Sequence, residues 1–398
     1  MRILFLASEF PFPPTGGGAI KTLSILDYLR RDHDVSVLCF SRSPLAAAQE
    51  RWAAEAGVVA LPLRRGRNLL NLLRSYLSGV PLSIERNRSA RLRELVRQRL
   101  LRGRPDAVFV DGWLMAQYLP PGFSGLKLLH EHNAEHVLWR RQAELERNPA
   151  RRLLVRRECA RVRRYEAAML RRFDCVFAVS EPDRRALIAL GADAGRLRVL
   201  PNLPDASLLE RPPLAFAATE PLIFYFGTLS WQPNTEGIEH FVRDVFPLVR
   251  REIPQARFAV AGRGAPPSLE RLLRAAPGVE YTGPVADAEP FYRRARVFVE
   301  ATRSGGGTKL KVLNALARGL PAVVSPQAAE GIEAAPEQHL LIADGPYGLA
   351  AAAVRLLTDG ALWAALSANG RELIRSRYVA AVAYAPLDEV LSGARATA

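Results

Sequence analysis

Cysteine is scarce: Cys39, Cys159 and Cys175 are the three, and none is closely spaced. A disulfide framework and a CxxC metal site are therefore excluded, and a reducing compartment is expected. No stretch approaches the roughly 18 uncharged apolar residues that span a bilayer. The first apolar run, Ile3 to Ala7, stops at Glu9 and two prolines, too short for the apolar core of a signal peptide. A cytoplasmic protein is expected. Walker A spacing, Gly-x-Ser-x-Gly and HExxH are absent, and the first glycine loop is not the GxGxxG dinucleotide fingerprint. No helix-turn-helix, RNP-like aromatic motif or zinc spacing points to nucleic acid.

The second half lacks any charge excess. Of 55 Lys+Arg and 40 Asp+Glu, residues 201–398 hold 20 and 20, so residues 1–200 hold 35 and 20, a net +15. Within that half, 61–104 carries 12 Arg against Glu85 and Glu94, and 140–172 carries 12 Arg against four Glu. Three readings stand: solvated helix faces, an anionic membrane leaflet reached from the cytoplasm, or nucleic acid, which nothing else favours. On Arg151–Phe173 arginine outnumbers the apolar residues Leu154, Val155, Val162, Ala168 and Met169, so adsorption on a surface is expected there rather than insertion.

What is present is the material of a globular protein, 49% hydrophobic and 24% charged. At about 150 residues per domain, 398 residues give two or three. Short apolar runs alternate with longer segments of helical period, the pattern of parallel α/β layers. Strands are expected at Ile3–Ala7, Val35–Phe40, Val58–Leu61, Ala107–Val110, Leu126–His130, Cys175–Val179 and Arg198–Leu200. A second set covers Leu222–Phe226, Arg257–Ala261, Val279–Thr282, Val297–Val299, Ala322–Ser325 and Leu340–Ile342. Between the sets lie Pro201, Pro204, Pro212, Pro213 and Pro221, where the charge also breaks. The expectation is two tandem Rossmann-like doubly wound domains, 1–203 and 204–374, facing a central cleft that holds the ligand. The C-terminal helix, about 375–398, packs back on the first domain. Pro386 should bend or break the last helical stretch, Ala361 to Leu391.

Two glycine loops follow strands. Gly16, Gly17 and Gly18 precede a helix carrying Ile20, Leu23, Leu26 and Leu29, as either a flexible turn or an anion-binding loop. Gly305, Gly306, Gly307, Thr308 and Lys309 precede the helix Leu310–Gly319, with Lys311 and Asn314 three apart on a face away from Leu310, Leu313 and Ala317. A diphosphate there would meet backbone N–H groups, a helix dipole and two ammonium groups. Three of six histidines cluster in His130-Glu131-His132-Asn133-Ala134-Glu135-His136. A metal site, a structural cluster and a polar site for sugar or acceptor are all open.

Together these pieces resemble the retaining glycosyltransferases of GT-B fold, family 4. Phe226-Gly227-Thr228-Leu229-Ser230-Trp231-Gln232-Pro233-Asn234 resembles the Trp-x-Pro-Asn version found in an exopolysaccharide branch. Val260–Gly264, Tyr281-Thr282-Gly283-Pro284-Val285 and the signature Gly305–Pro321, closed by Ala329-Glu330-Gly331, resemble the family's donor-side segments. In the first half, Gly16–Gly18, His132-Asn133, Val179-Ser180-Glu181 and Leu200-Pro201-Asn202 also fit. The resemblance implies a metal-independent transfer from a nucleotide-diphosphate sugar, the co-substrate in place of a cofactor, to a glycan, lipid-linked or small-molecule acceptor. Gly283 and Val285 would hold the base, and Thr228 and the glycine loop would lie near the phosphates.

Departures accompany it. Where many members carry a Glu-x7-Glu pair, this chain has Gly306 and Asn314; where they present Arg and Lys after the first strand of the second domain, it has Thr228 and Asn234. Lys309 and Lys311 are taken as the substitutes at the diphosphate, Asn314 as the ribose contact, and His132 as the sugar or acceptor contact. Gly16–Gly18 would complete the diphosphate cage. Rival readings are a non-catalytic nucleotide-sugar-binding homologue, which Asn314 suits, and a nucleotide-sugar epimerase of the same fold.

Overall fold

The computed structural model describes residues 1–14, 16–63, 69–146 and 148–396. Thr15 of the first glycine loop, and Arg64, Arg65, Arg67 and Arg147 of the basic stretches, lie outside the described residues. The chain divides into two compact units: Met1–Pro201 with Tyr384–Ala398, and Asn202–Ala383.

The first unit is a parallel sheet of seven strands: β1 (Arg2–Ala7), β2 (Asp34–Ser41), β3 (Val58–Pro62), β4 (Ala107–Asp111), β5 (Leu126–Glu131), β6 (Cys175–Ala178) and β7 (Leu197–Val199). Their order is β3-β2-β1-β4-β5-β6-β7. The second unit has six: β8 (Leu222–Phe226), β9 (Arg257–Ala261), β10 (Val279–Gly283), β11 (Val297–Glu300), β12 (Ala322–Val324) and β13 (Leu341–Ile342), ordered β10-β9-β8-β11-β12-β13 and all parallel. Every expected strand is found, with ends moved by a residue or two. Parallel strands covered on both faces must be apolar throughout, so their runs stand out in the sequence. Phe5 of β1 is paired with Phe109 of β4, and their rings stack at 4.9 Å.

The helices that matter below are α1 (Gly17–Leu29), α2 (Leu69–Ser78), α3 (Pro149–Leu170), α4 (Gln232–His240), α5 (Leu310–Arg318), α6 (Gly360–Arg377) and α7 (Ala385–Ala396). Helix α5 ends where expected: Gly319 adopts φ 80°, which favours glycine after a helix. Its inward face is wider than expected, with Val312, Leu313, Ala315, Leu316 and Ala317 buried while Leu310 is only half-buried.

Two expectations about the C-terminus are corrected. The return to the first unit comes at Tyr384 and not near 375, because α6 stays in the second unit, where buried Arg371 donates to the carbonyls of Ala317 and Leu209. The helical stretch also breaks before Pro386, at Tyr378 and again at Tyr384; Pro386 opens α7. Proline is tolerated in a first turn, where its missing N–H would have no helical partner. Helix α7 is fixed by Ser24 Oγ and the Tyr384 hydroxyl, 2.9 Å apart, and by the Tyr28 hydroxyl donating to Asp388.

In each sheet three strands run outward one way from the first, and the chain then returns to the other side. The strand order therefore reverses between β1 and β4, and between β8 and β11. Such switch points leave a crevice at the carboxyl ends of the two strands, because the flanking connections diverge there.

Candidate functional site

In the second unit that crevice lies beyond Phe226 and Glu300. Helix α4, which follows β8, and the loop after β11 are pressed together: a Cβ on Gly237 would stand 3.1 Å from the backbone N of Thr302, and one on Gly305 3.4 Å from Pro233 Cγ. A Cβ on Gly262, after β9, would overlap the Gly227 carbonyl at 1.9 Å. Backbone is thus brought to backbone, and the amides of Gly305, Gly306, Gly307 and Thr308 lead into α5.

Glu300 organises this edge. It is 1% exposed at the end of β11 and pairs with Lys311 Nζ at 2.6 Å; the Thr302 hydroxyl donates to its other oxygen. Lys311 Nζ also donates to the Tyr225 hydroxyl and to Asn234 Oδ1, each at 2.7 Å, while Asn234 Nδ2 donates to the Thr228 carbonyl at 2.7 Å. Burial lowers the Lys311 pKa and Glu300 pulls it back; burial, reinforced by Glu300, pushes the Tyr225 hydroxyl well up. The expectation for Lys311 is corrected here. An ammonium has three donors, and all three are spent inside the fold, joining β8, α4, β11 and α5.

The other expected donor residues have these surroundings. Lys309 Nζ donates to the Gly306 and Gly307 carbonyls at 3.0 and 3.1 Å, latching its own loop. Asn314 is half-buried, and its Oδ1 accepts the Asp205 N–H at 2.9 Å. Gly283 ends β10 at φ 71°, and its carbonyl accepts the Gly262 N–H at 2.8 Å. Val285 packs on the core below. A hollow of about 800 Å³ elsewhere in this unit, lined by Pro212, Leu214, Asp287 and Arg293 among others, holds none of these residues.

In the first unit the crevice lies beyond Ala7 and Asp111. Gly16 caps α1, and Gly17 and Gly18 form its first turn with their surfaces exposed; a Cβ on Gly18 would lie 3.3 Å from Glu9 Oε1. Asp111, 1% exposed, takes His130 Nδ1 at 2.8 Å and His132 Nε2 at 3.0 Å on one oxygen and the Thr22 hydroxyl on the other. Burial opposes the charge on Asp111, but the two imidazoles outweigh it and hold the carboxyl far below its usual range. Burial drives His130 down to about 3. For His132 burial acts the same way, yet Asp111 overcomes it and raises the pKa. His130 is therefore the neutral ring, and partly exposed His132 is the one of the two that takes a proton more readily. These three residues offer ligand atoms within 4.8 Å of one another; both imidazoles are turned onto Asp111, and His130 Nε2 is left buried without a hydrogen-bond partner.

Sequence reasoning gave no role to Asp111, Lys21, Tyr225 or Glu300. Lys21, 2% exposed, donates from Nζ to the Leu200 carbonyl at 2.9 Å and to the Tyr384 hydroxyl at 3.2 Å. Asp111 and Glu300 carried a usable signal: each is a carboxylate closing an otherwise apolar parallel strand. Lys21 lies in line with Ile25 and Leu29 on the inward stripe of α1.

Comparison with known proteins completes the description. Residues 16–203 match the Glycosyl transferase 4-like domain family, and residues 220–359 match Glycosyl transferases group 1. No curated protein matches the sequence. Among solved structures, HepE from Anabaena in complex with UDP and glucose aligns over 99% of this chain and 100% of its own, at TM-score 0.67 and 15% identity. Sucrose-phosphate synthase from Thermosynechococcus elongatus aligns over 100% of both chains, at 0.70 and 20%. A putative UDP-N-acetylglucosamine 2-epimerase from Listeria monocytogenes aligns over 96% of each, at 0.55 and 14%.

Proposed function

Because the chain belongs to the group 1 glycosyltransferases and has the GT-B fold, we propose that it transfers a sugar from a nucleotide-diphosphate donor with retention of configuration. In this reading the transfer needs no metal, and the acceptor is a glycan, a lipid-linked molecule or a small molecule. The supporting observation is the switch-point crevice of the second unit, where the Gly305–Thr308 amides and the start of α5 gather donor groups beside a pre-built loop. The solved structure with bound UDP and glucose lends the same direction. The Trp-x-Pro-Asn turn supports a role among the sugar transferases of cell-surface polysaccharide assembly, acting in the cytoplasm on the inner membrane face.

The chemistry assigned to the protein is electrostatic. As the bond from the anomeric carbon to the diphosphate breaks, negative charge grows on the leaving oxygens. Fixed N–H groups and a helix N-terminus stabilise that charge without reorganising, which is where such sites gain most of their rate. Lys309 holds the Gly306 and Gly307 carbonyls away from the phosphates. Asn314 keeps its amide N–H₂ for the ribose hydroxyls, its oxygen being engaged by Asp205. The protonated His132, oriented by Asp111, donates to a sugar or acceptor oxygen. No side chain here is assigned as a nucleophile, so the leaving diphosphate receives the acceptor's proton on the face the acceptor attacks.

A thermal-shift panel of UDP, GDP, ADP and their sugar conjugates tests the reading. At about 100 times Kd a bound nucleotide stabilises by roughly 2.7 kcal/mol. One base should stand out, and Lys309→Ala should keep the fold while cutting turnover. Stabilisation by a nucleotide sugar without turnover against any acceptor would favour the binding-only homologue, the reading that Asn314 supports. No shift with any nucleotide would defeat both.

A further inference from the structure

Helix α2 is built inside out. Its apolar residues Leu69, Leu73, Tyr76 and Leu77 are 82%, 55%, 46% and 80% exposed, and Leu70 and Leu72 are exposed beside them. At 100° per residue these six share one side of the helix, whereas the residue it buries is Ser75, on the opposite side. The Ser75 hydroxyl donates to the Val80 carbonyl at 2.7 Å. A helix that presents its polar side to its own protein and its leucines to water is matched to an apolar medium.

The surroundings supply exposed arginines. Arg161 of α3 lies over the Tyr76 ring at 4.0 Å, which joins α2 to the arginine-rich α3, and Glu158 one turn away accepts the N–H of Leu82, beyond the end of α2, at 2.6 Å. Arg157 and Arg164, one turn to either side of Arg161, are exposed, as is Arg74 on α2 itself. Among the described residues no single helix is long and apolar enough to cross a membrane. A second copy of the chain docked on α2 would bring like charges together, whereas an anionic leaflet neutralises them and takes up the leucines.

We infer that α2 lies in the headgroup–acyl boundary of an anionic membrane leaflet, leucine face inward, with the α3 arginines on the lipid phosphates. This differs from the adsorption without insertion expected on Arg151–Phe173, and it stands apart from the sugar-transfer reading, since vesicle binding needs no turnover. The test is co-sedimentation of the full chain with phosphatidylcholine vesicles, with and without about 30% phosphatidylglycerol. Binding should require the anionic lipid and weaken with salt. The triple variant L69N/L73N/L77N should lose about tenfold or more in partitioning, yet melt like the parent, because these side chains are already in water. In a Leu73→Trp variant the new indole should be quenched by lipids brominated in the acyl chain. Equal partitioning of the triple variant, absence of vesicle binding, or an unquenched indole in vesicle-bound L73W would overturn the inference. So would a dimer seen by light scattering that the triple variant disperses. The nucleotide thermal shift should be the same in parent and variant, so failure of either reading leaves the other standing.

Discussion

Lys311→Met asks whether this lysine serves the fold or the substrate. Glu300 is 1% exposed and the Lys311 side chain 14%, with Nζ 2.6 Å from the carboxylate. At an effective dielectric of about 20 that separation corresponds to roughly 6 kcal/mol of attraction, much of it offset by desolvating both ions. Removing the cation alone leaves a buried, uncompensated carboxylate and two stranded acceptors, Tyr225 and Asn234. Breaking a buried pair in this way costs about 3–5 kcal/mol. In the double variant K311M/E300Q no charge is buried, so most of the loss should be recovered. The assay is guanidinium unfolding at pH 7 for parent, K311M, E300Q and the double variant, a cycle that isolates the coupling. Nucleotide binding should then track stability, with K311M/E300Q retaining it. If K311M costs less than about 1 kcal/mol while abolishing nucleotide binding, the ammonium belongs to the substrate and the structural reasoning is wrong.

Three further outcomes are expected. His132 has a raised pKa, so its charged pairing with Asp111 is complete below about 6.5 and fades as pH climbs through the raised value; turnover should fall on that alkaline limb, and a His132→Gln variant with the same limb would dissociate the two. Burial, followed by Glu166 and Glu135, holds the Glu131 carboxyl well above its usual value near 4.5, so the folded state binds more protons than the unfolded one and stability declines as pH rises out of that range. Glu131→Gln should flatten this decline in melting temperature between pH 5 and 8, and an unchanged slope would count against it. Asn314→Glu should tighten nucleotide binding about fivefold, since a charge-assisted bond to the ribose is worth roughly 1 kcal/mol more than a neutral one; titration calorimetry showing no gain would remove position 314 from the ribose site.

The sheets were legible because burial on both faces forces apolar runs, from Ile3–Ala7 to Leu341–Ile342, that no helix period imitates. The glycine loop at 305–307 was legible because a strand, three glycines and a helix ended by Gly319 leave few other conformations. The roles of charged residues were not, since a lysine in a sequence has the same chemistry whether its ammonium faces a ligand or a buried carboxylate. Lys311 sits beside the signature loop yet answers Glu300, eleven positions back, because parallel pairing sets β11 next to β8 and α5 packs against β11. Asp111 orients His130 because strands β4 and β5 are paired in register at those two residues. Composition located the excess arginine, but the direction of the leucines on α2 depended on where Ser75 found its partner. Periodicity shows that a helix has two faces; which of them meets the protein is fixed by long-range contacts that local sequence does not contain.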